Sequence, residues 1–184
     1  MFRTLAIGLF IVLSFAIASA QKTNDAIAKQ IKQLKVEKTV TLSFDGNSSK
    51  VMAIGENFAE SESKAAGIQA MNFGMAFFYA GKDLTTSPET INLTFWVMSK
   101  KPKLAAAHAW SYDLTDGKLD LGDAVYAAKP GQNMEYLNFK LTRKDLTRIT
   151  ANPTAKFHLG TANFTFTTAQ INTLKAMVEI SDVR

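Results

Sequence analysis

The chain contains no cysteine. Disulfides, zinc thiolates and thiol nucleophiles are therefore excluded together, and the fold must stand on its apolar core. Histidine is nearly as scarce, with only His108 and His158. There is no H-E-x-x-H helix, no G-x-S-x-G elbow and no glycine-rich phosphate loop, so zinc-protease, α/β-hydrolase and P-loop chemistries lack their local machinery. Beyond residue 20, arginine is reduced to Arg143, Arg148 and Arg184. That is too few for the arginine and aromatic stripe of a nucleic-acid binder. No cofactor motif is present.

Long apolar runs are missing too, except at the start. Arg3 precedes an apolar run from Leu5 to Ile17, and Ala18-Ser19-Ala20 precedes Gln21. This order of charge, apolar core and small A-x-A residues predicts a secretory signal over residues 1–20. The run is shorter than the roughly 20 residues of a membrane span, so no transmembrane segment is expected after cleavage. The expected location is secreted or periplasmic. Gln21 to Arg184 falls within the length prior for one domain, about 100–200 residues. Net charge is +5, a modest excess that mostly keeps a secreted protein soluble. Its lysines gather at Lys29, Lys32, Lys35 and Lys38, and in a loop carrying Lys100, Lys101 and Lys103. The loop is a candidate basic patch for anionic glycans or headgroups.

Apolar periodicity supplies the architecture. Ile27, Ile31 and Leu34 recur at helical spacing and predict an amphipathic helix or arm over residues 21–35. From Val36 to Phe44 the period becomes two, predicting a strand that returns after Asp45-Gly46-Asn47 at Val51 to Ile54. Glu56 to Ala66 reads as a surface loop. Residues 68–80 fit either a strand or a helix; Gly74 and the aromatic content favour the strand. Ile91 to Val97, Leu104 to Leu114 and Leu137 to Leu141 predict further strands. Ala124 to Ala128 is expected to prolong the hairpin strand as far as a Lys129-Pro130-Gly131 turn.

Residues 154–183 read as strand, turn, strand and helix, the helix opened by Thr167-Thr168-Ala169-Gln170 at capping-box spacing. Asn138-Phe139-Lys140-Leu141-Thr142 echoes Asn163-Phe164-Thr165-Phe166-Thr167, and both run into helices. The expected fold is mainly β, an antiparallel sandwich with two or three short helices, over residues 36–184. A small β-barrel or an α+β arrangement is the alternative.

Asp116-Gly117 predicts a two-residue I′ turn, which opposes Leu114 to Leu119, Asp113 to Asp120 and Tyr112 to Leu121. Extended past Gly122, this register puts Asp123 opposite Trp110 and diagonal to His108, about 7–8 Å away. A bulge at Gly122 would undo it. His108 with nearby aspartates is the hydrolase alternative; Ser111 does not complete a triad, because strand alternation points His108 to the other face. Asp113, Asp116 and Asp120 are weak calcium candidates without the D-x-D-x-D-G ladder. For ligand binding the candidates are Trp96, His108, Trp110, Tyr112 and Asp123. Trp96 leads them, because it shares a strand face with Asn92, Thr94 and Met98.

Phe77 to Lys82, Pro88 to Leu93, Asp116 to Gly122 and Lys156 to Phe166 carry F-x-Y-x-G-K, PETINL, DGKLDLG and K-F-x-L-G with N-F-T-F. In these the chain resembles a group of uncharacterised exported bacterial proteins. The resemblance implies a shared exported β domain and brings no catalytic residue with it. The expectation is a non-enzymatic exported domain that binds a glycan, an envelope component or a protein partner, with a structural or assembly module as a further alternative.

Overall fold

The computed structural model describes residues 21–128 and 133–183. The expected signal at 1–20 and the Lys129-Pro130-Gly131 turn lie outside the described residues. In chain order the elements are β1 (Lys22–Thr23), α1 (Asn24–Gln33), β2 (Val40–Phe44), β3 (Ser48–Ile54), α2 (Glu60–Ala65), β4 (Ala70–Ala80), β5 (Asp83–Leu84) and β6 (Thr90–Met98). They continue with β7 (Ala109–Leu114), β8 (Gly117–Asp123), β9 (Val125–Ala128), β10 (Met134–Thr142), α3 (Arg143–Ala151), β11 (Lys156–Leu159), β12 (Ala162–Thr165) and α4 (Thr168–Ile180).

The mainly β, antiparallel expectation holds. One sheet has six strands in the order β2-β3-β4-β6-β10-β9, a second has four in the order β12-β11-β7-β8, and β1 pairs with β5. The end strands β2 and β9 do not pair with each other, so among the described residues no closed barrel forms. The inner faces meet through aromatic rings. Phe95 of the large sheet lies 5.1 Å from Trp110 and 5.7 Å from Phe157 of the small one, and Phe139 lies 5.0 Å from Trp110. Phe58 contacts Phe73, Phe95, Phe157, Phe164 and Phe166. Rings of this size bury enough apolar area to dominate such a core.

Helices cover the rest of that inner face. Ile27 and Ile31 of α1 and Ile171, Leu174, Met177 and Ile180 of α4 are buried; α1 lies against β2 and α4 against β3. The N-terminal segment is thus a packed helix rather than a loose arm. The Lys22 ammonium reaches Gln30 Oε1 and the carbonyls of Glu179 and Ile180, each at 3.1 Å, and so places a cation on the C-terminal carbonyls of α4. The strand-to-helix echo is real in its chemistry. Thr142 with Asp145 and Thr167 with Gln170 both form complete capping boxes.

Several local expectations are corrected. The first long strand begins at Val40 rather than Val36, because the Val36 carbonyl accepts from the N–H groups of Thr39 and Val40 and holds a turn there. The loop from Glu56 contains α2, where Glu60 pairs with Lys64 one turn on at 2.7 Å. Only Ala109–Leu114 of the expected 104–114 strand is strand; Leu104 to His108 folds back, with the Leu104 carbonyl accepting from Ala107 N–H. The hairpin turn lies at Thr115 and Asp116, and positive φ falls on Gly117 alone, at 124°. Asp116 is spared the left-handed conformation that an I′ turn would demand of it.

The register slips accordingly. Leu114 faces Gly117, Asp113 faces Lys118 and Tyr112 faces Leu119, and a bulge between Ala109 and Ser111 then brings Asp123 opposite Ala109. Finally, β9 does not extend the hairpin. It leaves the small sheet and pairs with β10 in the large one, so the chain changes layers at Ala124.

Candidate functional site

The two faces of the large sheet differ in kind. Its inner face is closed by the core, whereas the outer face carries Phe78, Ile54, Met98 and Val125 at 56%, 40%, 42% and 73% exposure. Strand alternation puts Ala70, Asn72, Gly74, Ala76 and Phe78 of β4, Asn92, Thr94, Trp96 and Met98 of β6, and Met134, Tyr136, Asn138 and Lys140 of β10 on this outer face. Register then aligns them in rows. Asn72, Trp96 and Tyr136 lie side by side across three strands, and Ala70, Met98 and Met134 form the next row.

These two rows line a cleft of about 440 Å³ with Asn57 and Met71, within the usual range for small-molecule clefts, about 300–1,000 Å³. Trp96 forms part of its wall. Its indole lies diagonally over Gly74, where a Cβ would meet Cζ2 and Cη2 at 3.0 Å. The missing side chain lets the ring lie down on the sheet, half-buried. The Asn72 Oδ1 atom is closed off from water without a hydrogen-bond partner, an uncommon state for a buried acceptor. Thr94 Oγ1 donates to Asn138 Oδ1 at 2.8 Å, and Asn138 Nδ2 donates to the Val125 carbonyl. The outer-face positions of this sheet carry Lys50 and Lys140 and no Asp or Glu.

Under the cleft's far row sits a carboxylate. Glu135 points to the inner side of β10 and is 1% exposed. Its oxygens accept from Lys103 N–H at 2.9 and 3.1 Å, Leu104 N–H at 2.9 Å and Tyr126 Oη at 3.3 Å, and Ser99 Oγ lies 3.0 Å from Oε2. The exposed Lys100-Lys101-Pro102-Lys103 loop is therefore fastened from beneath. Burial, then the negative charge of Glu135 and its hydrogen bond, push the Tyr126 phenol up from its ordinary value.

The other expected site residues fare differently. Trp110 and Tyr112 are fully buried in the core and present nothing to a ligand. His108 sits outside the strand, its Nδ1 3.2 Å from the Leu104 carbonyl and its ring stacked on Tyr126 at 5.8 Å. Asp123 faces Ala109, so the expected His108–Asp123 juxtaposition is replaced by the bulge. The three calcium candidates scatter. Asp113 Oδ2 pairs with His158 Nε2 at 2.9 Å, Asp116 with Arg148 at 3.3 Å, and Asp120 Oδ1 accepts from Gly122 N–H. Among the described residues no three His, Cys, Asp or Glu side chains come together as a metal site.

One constellation crosses strands that the sequence keeps far apart. His158 lies opposite Ser111, on the face shared by Asp113. Both ring nitrogens are occupied, Nε2 by Asp113 and Nδ1 by Asn163 Oδ1 at 2.5 Å. Neither is left to take the Ser111 proton, so this group braces the small sheet rather than assembling a nucleophile.

Sequence reasoning had singled out Trp96 from its strand face. It had no access to Asn72, Tyr136 and Met134 beside it, because those neighbours depend on which strands pair; Glu135 was hidden in an unremarkable alternation. No protein-family model, curated protein or solved structure matches this chain.

Proposed function

We propose that this protein is an exported binding module that holds a glycan on the open face of its six-stranded sheet. The observation that carries the reading is the row Asn72–Trp96–Tyr136 flanking a cleft on an uncovered sheet face. Flat rings stack on the C–H faces of sugars, while amide and hydroxyl groups beside them answer sugar hydroxyls. Here Asn57 and Asn72 line the cleft with the two rings, and Thr94 and Asn138 lie two residues along their strands from them. A protein partner or membrane surface would have to desolvate those amides without matching them all.

The signal-like start and the resemblance to exported bacterial proteins support a secreted or periplasmic location. N-terminal sequencing of protein from the extracellular and periplasmic fractions tests this, with Gln21 as the expected first residue. For the binding function, calorimetric titration with a panel of envelope oligosaccharides should find a ligand whose affinity falls at least about thirtyfold in Trp96→Ala, the scale of a central aromatic anchor. Equal binding by the wild type and Trp96→Ala would remove the cleft from consideration.

A further inference from the structure

We infer that the ligand is an acidic glycan, one bearing carboxylates, and that Lys100 and Lys101 read its charge. This rests on the binding site just proposed and names its substrate class. The chain leaves the large sheet at Met98, which lines the cleft, and enters Ser99-Lys100-Lys101-Pro102-Lys103 directly. Two residues of chain span at most about 7 Å, so Lys100 begins the loop within that distance of the cleft's end at Ala70, Met98 and Met134.

The loop is held in place before any ligand arrives. Ser99 N–H donates to the Asn133 carbonyl at 3.0 Å, and Ser99 Oγ donates to the Lys101 carbonyl at 2.7 Å and lies 3.0 Å from Glu135 Oε2. Glu135 also takes the N–H groups of Lys103 and Leu104. The carboxylate thus spends its hydrogen-bonding capacity on the loop's backbone, while Lys100 and Lys101 stay exposed. A basic loop with a fixed backbone loses less freedom on binding than a free one.

Lys103 is set apart from the other two. Its side chain lies against Gly67 and lines a separate crevice with Ala65, Ala66 and Thr161.

Charge on the rest of the face agrees. The sheet's outer positions hold Lys50 and Lys140 and no carboxylate, and the only acids adjacent in sequence to a cleft residue are Glu56 and the already engaged Glu135. An anionic lipid surface would match the lysines as well. It would also press the amides of Asn57 and Asn72, which line the cleft, toward hydrocarbon, which is why a hydroxyl-rich anion fits better.

The test is calorimetric titration of the purified protein with galacturonate, glucuronate and mannuronate oligosaccharides, each beside its fully methyl-esterified form, and with phosphatidylglycerol vesicles. An acidic member should bind more tightly than its ester, by about two- to fivefold per lysine engaged, with the advantage shrinking as salt rises. Lys100→Ala/Lys101→Ala should bring acid and ester to the same affinity, whereas Lys29→Ala/Lys32→Ala, the same charge change on α1, should preserve the difference. Trp96→Ala should weaken binding of both forms at least about thirtyfold. Equal binding of acid and ester by the wild type, or an acid preference untouched by the Lys100/Lys101 variant, overturns the acidic specificity and leaves the glycan site standing. Binding to the vesicles with none to any oligosaccharide overturns both.

Discussion

Replacing Glu135 tests how the lysine loop is built. In Glu135→Ala the N–H groups of Lys103 and Leu104 and the hydroxyl of Tyr126 lose their acceptor. Leu104 is 5% exposed and Glu135 1%, so water replaces the lost acceptors poorly. An unsatisfied buried donor costs about 1–3 kcal/mol. Two backbone donors with a small cavity put the loss at about 3–5 kcal/mol, or about 6–20 °C in melting temperature for a domain of this size.

Glu135→Gln is the informative control. If its amide nitrogen takes the Oε2 side, Ser99 Oγ can accept from it while still donating to the Lys101 carbonyl, and the remaining oxygen keeps Lys103 and Leu104 within reach at 3.1 and 2.9 Å, but the second contact of Lys103 N–H, 2.9 Å to Oε2, is lost. The charge-assisted part disappears together with that one contact, about 1–3 kcal/mol. Urea unfolding gives both numbers, and amide hydrogen exchange should show early exchange at 103 and 104 in the alanine variant only. A loss below about 0.5 kcal/mol in Glu135→Ala, with those amides still protected, would refute the anchoring argument.

Other outcomes follow from single contacts. Gly160 has φ +60° and a Cβ there would lie 2.0 Å from the Ala107 carbonyl oxygen, so Gly160→Ala should cost at least about 2 kcal/mol in chemical denaturation. Lys22→Met removes the cation from the end of α4 and should cost about 1–2 kcal/mol; an unchanged midpoint would mean that β1 is not part of the folded unit. Burial pushes the Tyr112 phenol up to about 12, against about 10 in the unfolded chain. The unfolded state then loses its proton first, so stability should be level below pH 10 and fall by about 2–3 kcal/mol between pH 10 and 12, a trend that Tyr112→Phe should flatten. Gly74→Ala crowds the Trp96 indole at 3.0 Å and should lift it from the sheet, read as greater acrylamide quenching of the tryptophan emission, since Trp110 is fully buried.

Much of the fold was legible one segment at a time. The period-two runs of β4, β6 and β10 and the helical stripe of α4 each carry their own burial pattern, because a side chain's direction is set by the local backbone. Capping at Thr167 was legible for the same reason, since its partner Gln170 is three residues away. Trp96 was placed on the less buried face of its strand by alternation alone.

What the chain could not disclose locally was pairing. The Asp116-Gly117 dipeptide marked the hairpin but not its register, which turns on whether one residue or two must take positive φ. Ala124–Ala128 reads as a continuation of β8, and only the completed sandwich decides that it crosses to β10. Asn72, Trp96 and Tyr136 are separated by tens of residues, and it is strand order that makes them one row.

Glu135 is the sharpest case. Its sequence neighbours mark it as one more strand position, yet the tertiary structure surrounds it with N–H and O–H donors and makes it the anchor of a basic loop. Local sequence thus determined which residues face in or out, because that depends on dihedral geometry within a few residues. Tertiary structure alone decided which of them meet, because meeting depends on long-range pairings whose free energy no short segment contains.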